Sequence, residues 1–353
     1  MSEIRKDPLS DRRVIIARGR DDRPDEFDHV PPRRIATRCP FCGGNEQDTP
    51  QAIACYGAAD LPNHGVGRAG QSTEDRPAAR VHRAEPCPPD WLVRVVPNKY
   101  PALQPTGTTD ARHVGPFEVC AALGQHEVII ESPRHVSSYS QLTDTESRLL
   151  VLAYRDRMRH LRANPALKYA LIFKNVGPEG GASLEHSHSQ IVATPTVPVE
   201  IRRELSGAQR QFRAHDRCFF CRMLEFEHAQ TVRWIEQSPR FAAVCPFASR
   251  MPFELWILPR EHASHFDDQA ETDLAELAQF MRKLLRKLEA ACPHVAYNYF
   301  IHTAPFDTNA LRHYHWHIEV LPRLTTTAGF EWGAGYFINP VPPEEATRIL
   351  RLQ

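Results

Sequence analysis

The residues with the clearest chemical potential lie between 182 and 195, in Ala-Ser-Leu-Glu-His-Ser-His-Ser-Gln-Ile-Val-Ala-Thr-Pro. His186, His188 and Gln190 alternate with small or polar residues, Ile191-Val192-Ala193 favours a strand, and Pro195 ends it. Alternate side chains of a strand share a face, so the three point the same way with neighbours about 6.5–7 Å apart. Upstream, Asn175-Val-Gly-Pro-Glu-Gly-Gly-Ala-Ser183 is rich in glycine, which lets backbone amides approach a phosphate closely. Imidazoles and an amide beside such a loop suit phosphoryl chemistry. Neutral imidazole is the nucleophile, and the amide donates to a phosphoryl oxygen without acting as acid or base. An HxH alone is also what a half-buried strand with a wet side looks like, so the rest of the chain must decide.

Cys39-Pro-Phe-Cys42 and Cys218-Phe-Phe-Cys221 each place two thiols on a tight turn, half of a tetrahedral metal site. Candidates for the other half come from a repeat. Ser132-Pro-Arg-His135 follows one strand and Pro259-Arg-Glu-His262 another, and the pair His135 and His262, the pair His186 and His313, and the pair Pro195 and Pro322 all share an offset of 127 residues. Independent chance matches would not share one offset. The expected sets are therefore Cys39, Cys42, His135, His186 and Cys218, Cys221, His262, His313. His265 can replace His262 but breaks the offset. Cys2His2 describes a closed, structural zinc site with no open position for water, and two zinc ions per chain are expected.

The elements that must position these groups form an α+β unit used twice, residues 1–200 with HxHxQ and one zinc site, and residues 201–353 with the other. Strands are expected around Arg12–Ala17, Trp91–Val96, Glu127–Glu131, Lys168–Lys174, Phe253–Leu258 and Val295–Phe300. Thr143-Asp-Thr-Glu146 fits a capping box, and Leu150, Tyr154, Met158 and Leu161 recur at helical spacing after it. Leu274, Leu277, Phe280, Met281, Leu284, Leu285 and Leu288 predict the matching helix of the second copy. Residues 45–90 lack periodicity and are expected as a long loop, with Cys55, Cys87 and His64 as spare ligands or ordinary surface residues. Arg20 and Arg23 sit in an arginine-rich loop suited to clamping phosphate. Asn98, in Pro97-Asn-Lys-Tyr-Pro101, turns where a ligand can be met.

Lysine plus arginine equals aspartate plus glutamate, 43 each, so no global field draws the chain to nucleic acid or to acidic membranes. No apolar run approaches a membrane span, and the charged first thirty residues hold no signal-peptide core. Two CxxC pairs suggest metal or redox use in a reducing compartment, so the expected location is cytoplasmic.

Together the arginine loop, CPFC, SPRH, the Asn-Gly-Ser loop, HxHxQ and the late Gly329-Phe330-Glu331 resemble the galactose-1-phosphate uridylyltransferase family of the histidine-triad superfamily. The resemblance implies two histidine-triad-like halves, each an antiparallel sheet with a packed helix. It implies that His188 is the nucleophile and that Gln190 binds the transferred phosphoryl group. It further implies that His186, His135, Cys39 and Cys42 hold zinc, that Arg20, Arg23, Asn175 and Ser183 hold phosphates, and that Glu331 binds sugar hydroxyls. A homodimer with a shared active site is implied, with sugar nucleotide and sugar 1-phosphate as substrates. His-Ser-His-Ser-Gln in place of HPHGQ, and Gly-Phe-Glu in place of GYE, are closer to the plant-type ADP-glucose phosphorylase branch, which passes AMP to phosphate. Uridylyltransferase is the first expectation and phosphorylase the alternative. A dinucleoside-phosphate hydrolase would carry a third histidine, as the second copy does at His317, and a non-catalytic zinc module would have no need of His188.

Overall fold

The computed structural model of the chain describes residues 2–17, 38–61, 87–107 and 110–353. Arg20, Arg23 and His64 lie outside the described residues. In chain order the elements are β1 (Glu3–Lys6), β2 (Arg13–Ile16), β3 (Ala54–Tyr56), β4 (Val93–Pro97), β5 (Arg112–Val114), β6 (Phe117–Val119), β7 (Gln125–Ile130) and α1 (Asp144–Arg162). Then come β8 (Tyr169–Val176), β9 (His188–Thr194), α2 (Val199–His215), α3 (Phe219–Gln230), β10 (Trp234–Gln237), β11 (Phe241–Val244) and β12 (Leu255–Pro259). The chain continues through α4 (Glu271–Ala291), β13 (Tyr297–His302), β14 (His317–Pro322), α5 (Gly329–Ala334), β15 (Tyr336–Asn339) and α6 (Pro343–Leu352).

The expected α+β class with antiparallel pairing is what the fold shows. One sheet runs β10-β11-β12-β14-β13-β8-β9-β7-β4-β3, antiparallel throughout. Outward from the β8–β13 junction the order is the same in both directions: β9, β7, β4, β3 one way and β14, β12, β11, β10 the other. The repeat read from the sequence thus becomes two halves joined edge to edge. A small second sheet, β1-β2-β15, ties the chain's start to its end, with β2 and β15 parallel.

Helix α1 starts at the expected capping box: Thr143 Oγ1 accepts from the Glu146 amide, 3.1 Å, and the Glu146 carboxylate accepts from the Thr143 amide, 2.7 Å. Leu149, Leu150, Ala153, Tyr154, Met158 and Leu161 are buried along it, as is the leucine stripe of α4. The two helices pack together on one face of the sheet and share one continuous core with both halves. That leaves the other face for chemistry. In the first half it is lined by Phe41, Trp91, Val96, Val128 and Ile130. In the second half Phe220 and Leu224 of α3 and Ala208 of α2 cover Val244, Trp256 and Leu258.

The 45–90 stretch is less irregular than expected. Ala54–Tyr56 pairs with β4 as an edge strand, and a disulfide joins Cys55 to Cys87 with Cα atoms 5.8 Å apart. Cys55 is buried rather than an ordinary surface residue. Three residues are too short a run for alternation to reveal a strand.

Candidate active site and metal centres

His188 opens β9, between β7 and β8. Its Nδ1–H donates to the His186 carbonyl, 2.7 Å, which fixes the tautomer and leaves the lone pair on Nε2. The ring is 6% exposed, and Phe41 meets it edge-on with centroids 5.2 Å apart. Burial, and next among the lowering effects the Lys174 ammonium, depress its pKa below the usual histidine value, against the carbonyl bond that raises it. The imidazole is therefore neutral near pH 7, the form a nucleophile needs. Gln190 lies two residues on, on the same face. Its Oε1 is 2.7 Å from His126 Nε2 and 3.4 Å from Asn98 Nδ2.

Behind the nucleophile, Lys174 and Glu131 are both fully buried and ion-paired at 2.5 Å. Lys174 Nζ also donates to Ser187 Oγ, 2.7 Å, and towards the His188 carbonyl, 3.4 Å, so this charge pair props the strand that carries His188. On the same inward side of the strand, Tyr154 donates to Ser189 Oγ, 2.8 Å. Asn175 is the penultimate residue of β8, and Asn298 donates both to its Oδ1, 2.8 Å, and to the Gly180 carbonyl, 2.6 Å. The glycine turn is forced: a Cβ on Gly180 would lie 2.3 Å from the Val176 carbonyl oxygen. Ser183 stands exposed beyond it.

The first metal set is assembled as expected. Cys39, Cys42, His135 and His186 bring their ligand atoms within 4.8 Å of one another. The Cys39–His186, Cys42–His135 and Cys42–His186 contacts are 3.4, 3.4 and 3.5 Å. A tetrahedral zinc with Zn–S about 2.3 Å and Zn–N about 2.0–2.1 Å sets sulfur and nitrogen roughly 3.5–3.6 Å apart, so the cluster fits. His186 Nε2–H donates to the Ser132 carbonyl, 2.9 Å, which turns the Nδ1 lone pair to the cysteines. Burial takes its pKa down to about 4, and the ring is neutral as a ligand must be.

The second set corrects the expectation at one position. It is Cys218, Cys221, His262 and His315, not His313. Cys221 lies 3.5 Å from His262 Nδ1 and 3.6 Å from His315 Nδ1. His315 Nε2–H donates to the Pro259 carbonyl, 2.9 Å, the counterpart of the His186–Ser132 bond. The His313 ring stands half-buried against Phe212, and only its carbonyl lies near Cys218. The offset of 127 holds for His262 but becomes 129 at His315, and the connection before β14, residues 303–316, is three residues longer than the one before β9, residues 177–187.

His317 is then the true counterpart of His188, with Nδ1–H donating to the His315 carbonyl, 3.1 Å. It is fully buried, with Phe220 and Trp256 against it, and Glu319 takes the place of Gln190. Glu204, His302, His317 and Glu319 do cluster, but Arg250 pairs with both Glu254 and Glu319. A cavity of about 600 Å³ between the N-terminal strands and α3 is lined by Phe219, Met223, Phe247 and Trp256, and by none of the expected site residues.

Residues 92–198 match the galactose-1-phosphate uridyl transferase N-terminal domain, and residues 204–336 match the C-terminal domain of the same family. The chain belongs to this family. ADP-glucose phosphorylase of Arabidopsis thaliana is 32% identical over 99% of this chain and 92% of its own. Galactose-1-phosphate uridylyltransferase of Thermotoga maritima is 28% identical over 99% of this chain and 98% of its own. A crystal structure of an Arabidopsis ADP-glucose phosphorylase with bound ADP-glucose superposes with a TM-score of 0.80 at 31% identity, covering 99% of both chains. Family membership makes the chain a nucleotidyltransferase.

Phe41, Lys174 and Glu131 also surround His188, and the sequence pattern alone assigns none of them a role there. For the two charged residues a signal exists. Their signal is a charged residue on the inward side of an apolar strand, in Ala-Leu-Ile-Phe-Lys and Glu-Val-Ile-Ile-Glu. Glu331 is not brought to His188 within the chain: its carboxylate accepts from the Ala328 amide, 2.9 Å, at the start of α5.

Proposed function

We propose that this chain transfers a nucleoside monophosphate from a sugar nucleotide through a covalent nucleotidyl-His188. His188 Nε2 attacks the α-phosphorus, a P–N bond forms, the P–O bond to the sugar phosphate breaks, and sugar 1-phosphate leaves. A second phosphate-bearing acceptor then attacks the same phosphorus and frees His188. The single observation carrying this reading is the His188 tautomer, with Nδ1–H on a backbone carbonyl and the Nε2 lone pair on the face shared with Gln190. Asn175 and Ser183 are assigned to the phosphates, Asn98 to the substrate side of the site, and Arg20, Arg23 and Glu331 to phosphate and sugar on the strength of the family pattern.

The first reading is a hexose-1-phosphate uridylyltransferase taking UDP-glucose and galactose 1-phosphate. The second is an ADP-glucose phosphorylase with inorganic phosphate as acceptor, favoured by the higher identity to the Arabidopsis phosphorylase. Incubation with UDP-glucose and with ADP-glucose, followed by intact mass, separates them. A UMP adduct discharged by galactose 1-phosphate supports the first, and an AMP adduct discharged by phosphate the second. No adduct from either would overturn the covalent mechanism.

The two Cys2His2 clusters are assigned to structural zinc, two ions per chain, with residues 1–200 and 201–353 as the two units. A homodimer is supported by exposed Phe330 and Trp332 flanking Glu331, which suits a contact across subunits. A cytoplasmic setting is supported by the CxxC thiols. The Cys55–Cys87 disulfide weighs against it, and a thiol count on freshly isolated protein decides.

A further inference from the structure

We propose that His126 is a positioning residue that decides which end of the Gln190 amide faces the phosphoryl group. The inference rests on the reaction proposed above. An amide side chain offers a donor at one end and an acceptor at the other, and only the donor end helps a phosphoryl oxygen gaining negative charge. Something must choose between two orientations that differ by a half-turn.

The choice starts at two backbone amides, which can only donate. The Ala102 N–H donates to His126 Nδ1, 3.3 Å. Nδ1 must therefore hold a lone pair, and the neutral ring carries its hydrogen on Nε2. Nε2 lies 2.7 Å from Gln190 Oε1, so His126 donates and the glutamine carbonyl accepts. Independently, the Tyr100 N–H donates to Asn98 Oδ1, 2.8 Å, which turns the Asn98 NH2 group inward. Asn98 Nδ2 then stands 3.4 Å from Gln190 Oε1, a second donor aimed at the same oxygen, and 3.0 Å from His126 Nε2, a contact between two donors in this tautomer that the bonds at Nδ1 and Gln190 Oε1 outweigh. A flipped Gln190 would set its own NH2 against these two donors with no acceptor among them. The carbonyl end is thus held by His126 and Asn98, and the NH2 end is left for the substrate. His126 touches no reacting atom and acts through Gln190.

The test is single-turnover adduct formation with whichever of UDP-glucose and ADP-glucose charges the wild type. His126→Leu should slow adduct formation about tenfold, less than the roughly 10²–10³ that losing an oriented donor outright costs. Nucleotide affinity should change less than about threefold and zinc content not at all, since binding and metal are held elsewhere. His126→Gln, whose NH2 can replace Nε2–H, should recover to within about threefold of wild type. On a Gln190→Ala background, His126→Leu should have no further effect, because the two act as one unit. Wild-type rates in His126→Leu, or full additivity with Gln190→Ala, would overturn the proposal while leaving the covalent mechanism standing. A wild type that charges with neither nucleotide removes both. Nitrogen-15 spectra give a reading that needs no activity: His126 must be the Nε2–H tautomer, and an Nδ1–H tautomer overturns the assignment.

Discussion

Glu131→Gln should cost this fold far more than a conservative change usually does. Glu131 and Lys174 have no solvent exposure and lie 2.5 Å apart. The glutamine keeps the shape and an acceptor but removes the carboxylate that touches the ammonium, leaving Ser187 Oγ, the more distant His188 carbonyl and the longer-range field of Glu289. Breaking a buried pair in this way costs about 3–5 kcal/mol. A bound comes from the lysine's alternative, to lose its proton: at pH 7, from an unperturbed value of about 10.4 and about 1.36 kcal/mol per unit, that costs about 4.6 kcal/mol. The two figures agree, so a loss of about 3–5 kcal/mol is expected. Burial already lowers the Lys174 pKa, more than Glu131 raises it. A folded-state pKa below the unfolded one means that the unfolded chain binds more protons in between, so stability rises with pH across that window. The Glu131→Gln deficit should therefore shrink as pH rises from 7 towards 10. The assay is urea unfolding of the zinc-loaded protein, with Lys174→Met and the double variant alongside. A Glu131→Gln loss under about 1 kcal/mol, or a double variant losing the full sum of the singles, would refute the reasoning.

The remaining predictions concern the site and its metals. His188→Gly should fold, keep its zinc and bind sugar nucleotide yet form no adduct, whereas His317→Gly should still charge; intact mass that finds the reverse moves the active site to the second half. His315→Ala should lose one zinc per chain by elemental analysis, and His313→Ala should retain both; equal loss would return His313 to the ligand set. Any fall in adduct formation by the wild type on acidification should be centred below pH 6.5, because burial holds the His188 pKa below the usual histidine value of about 6.5. A fall centred at or above that pH would show that the nucleophile titrates as an ordinary surface imidazole.

The chemistry was written locally and could be read locally. In HxHxQ, His188 and Gln190 share one face of β9 and His186 lies in the bend just before that strand, CPFC is one turn, and the Thr143–Glu146 box is one helix start, each fixed by residues within a few positions of one another. The α1 and α4 stripes followed from helical periodicity in the same way. What the sequence left undecided depends on register between distant strands. His313, His315 and His317 fall at intervals of two, and a shift of two residues returns every side chain to the same face. No alternation pattern distinguishes them; the length of the connection before β14 does, and it is visible only when β14 is paired with β12 and β13. The same holds for Lys174 and Glu131, 43 positions apart, for Asn298 beneath the glycine turn, and for His126 on Gln190. These contacts are made by strand neighbours that are remote in the chain. Local propensity determined which groups the protein owns, and the long-range pairing of β7, β8, β9 and β13 decided which of them meet.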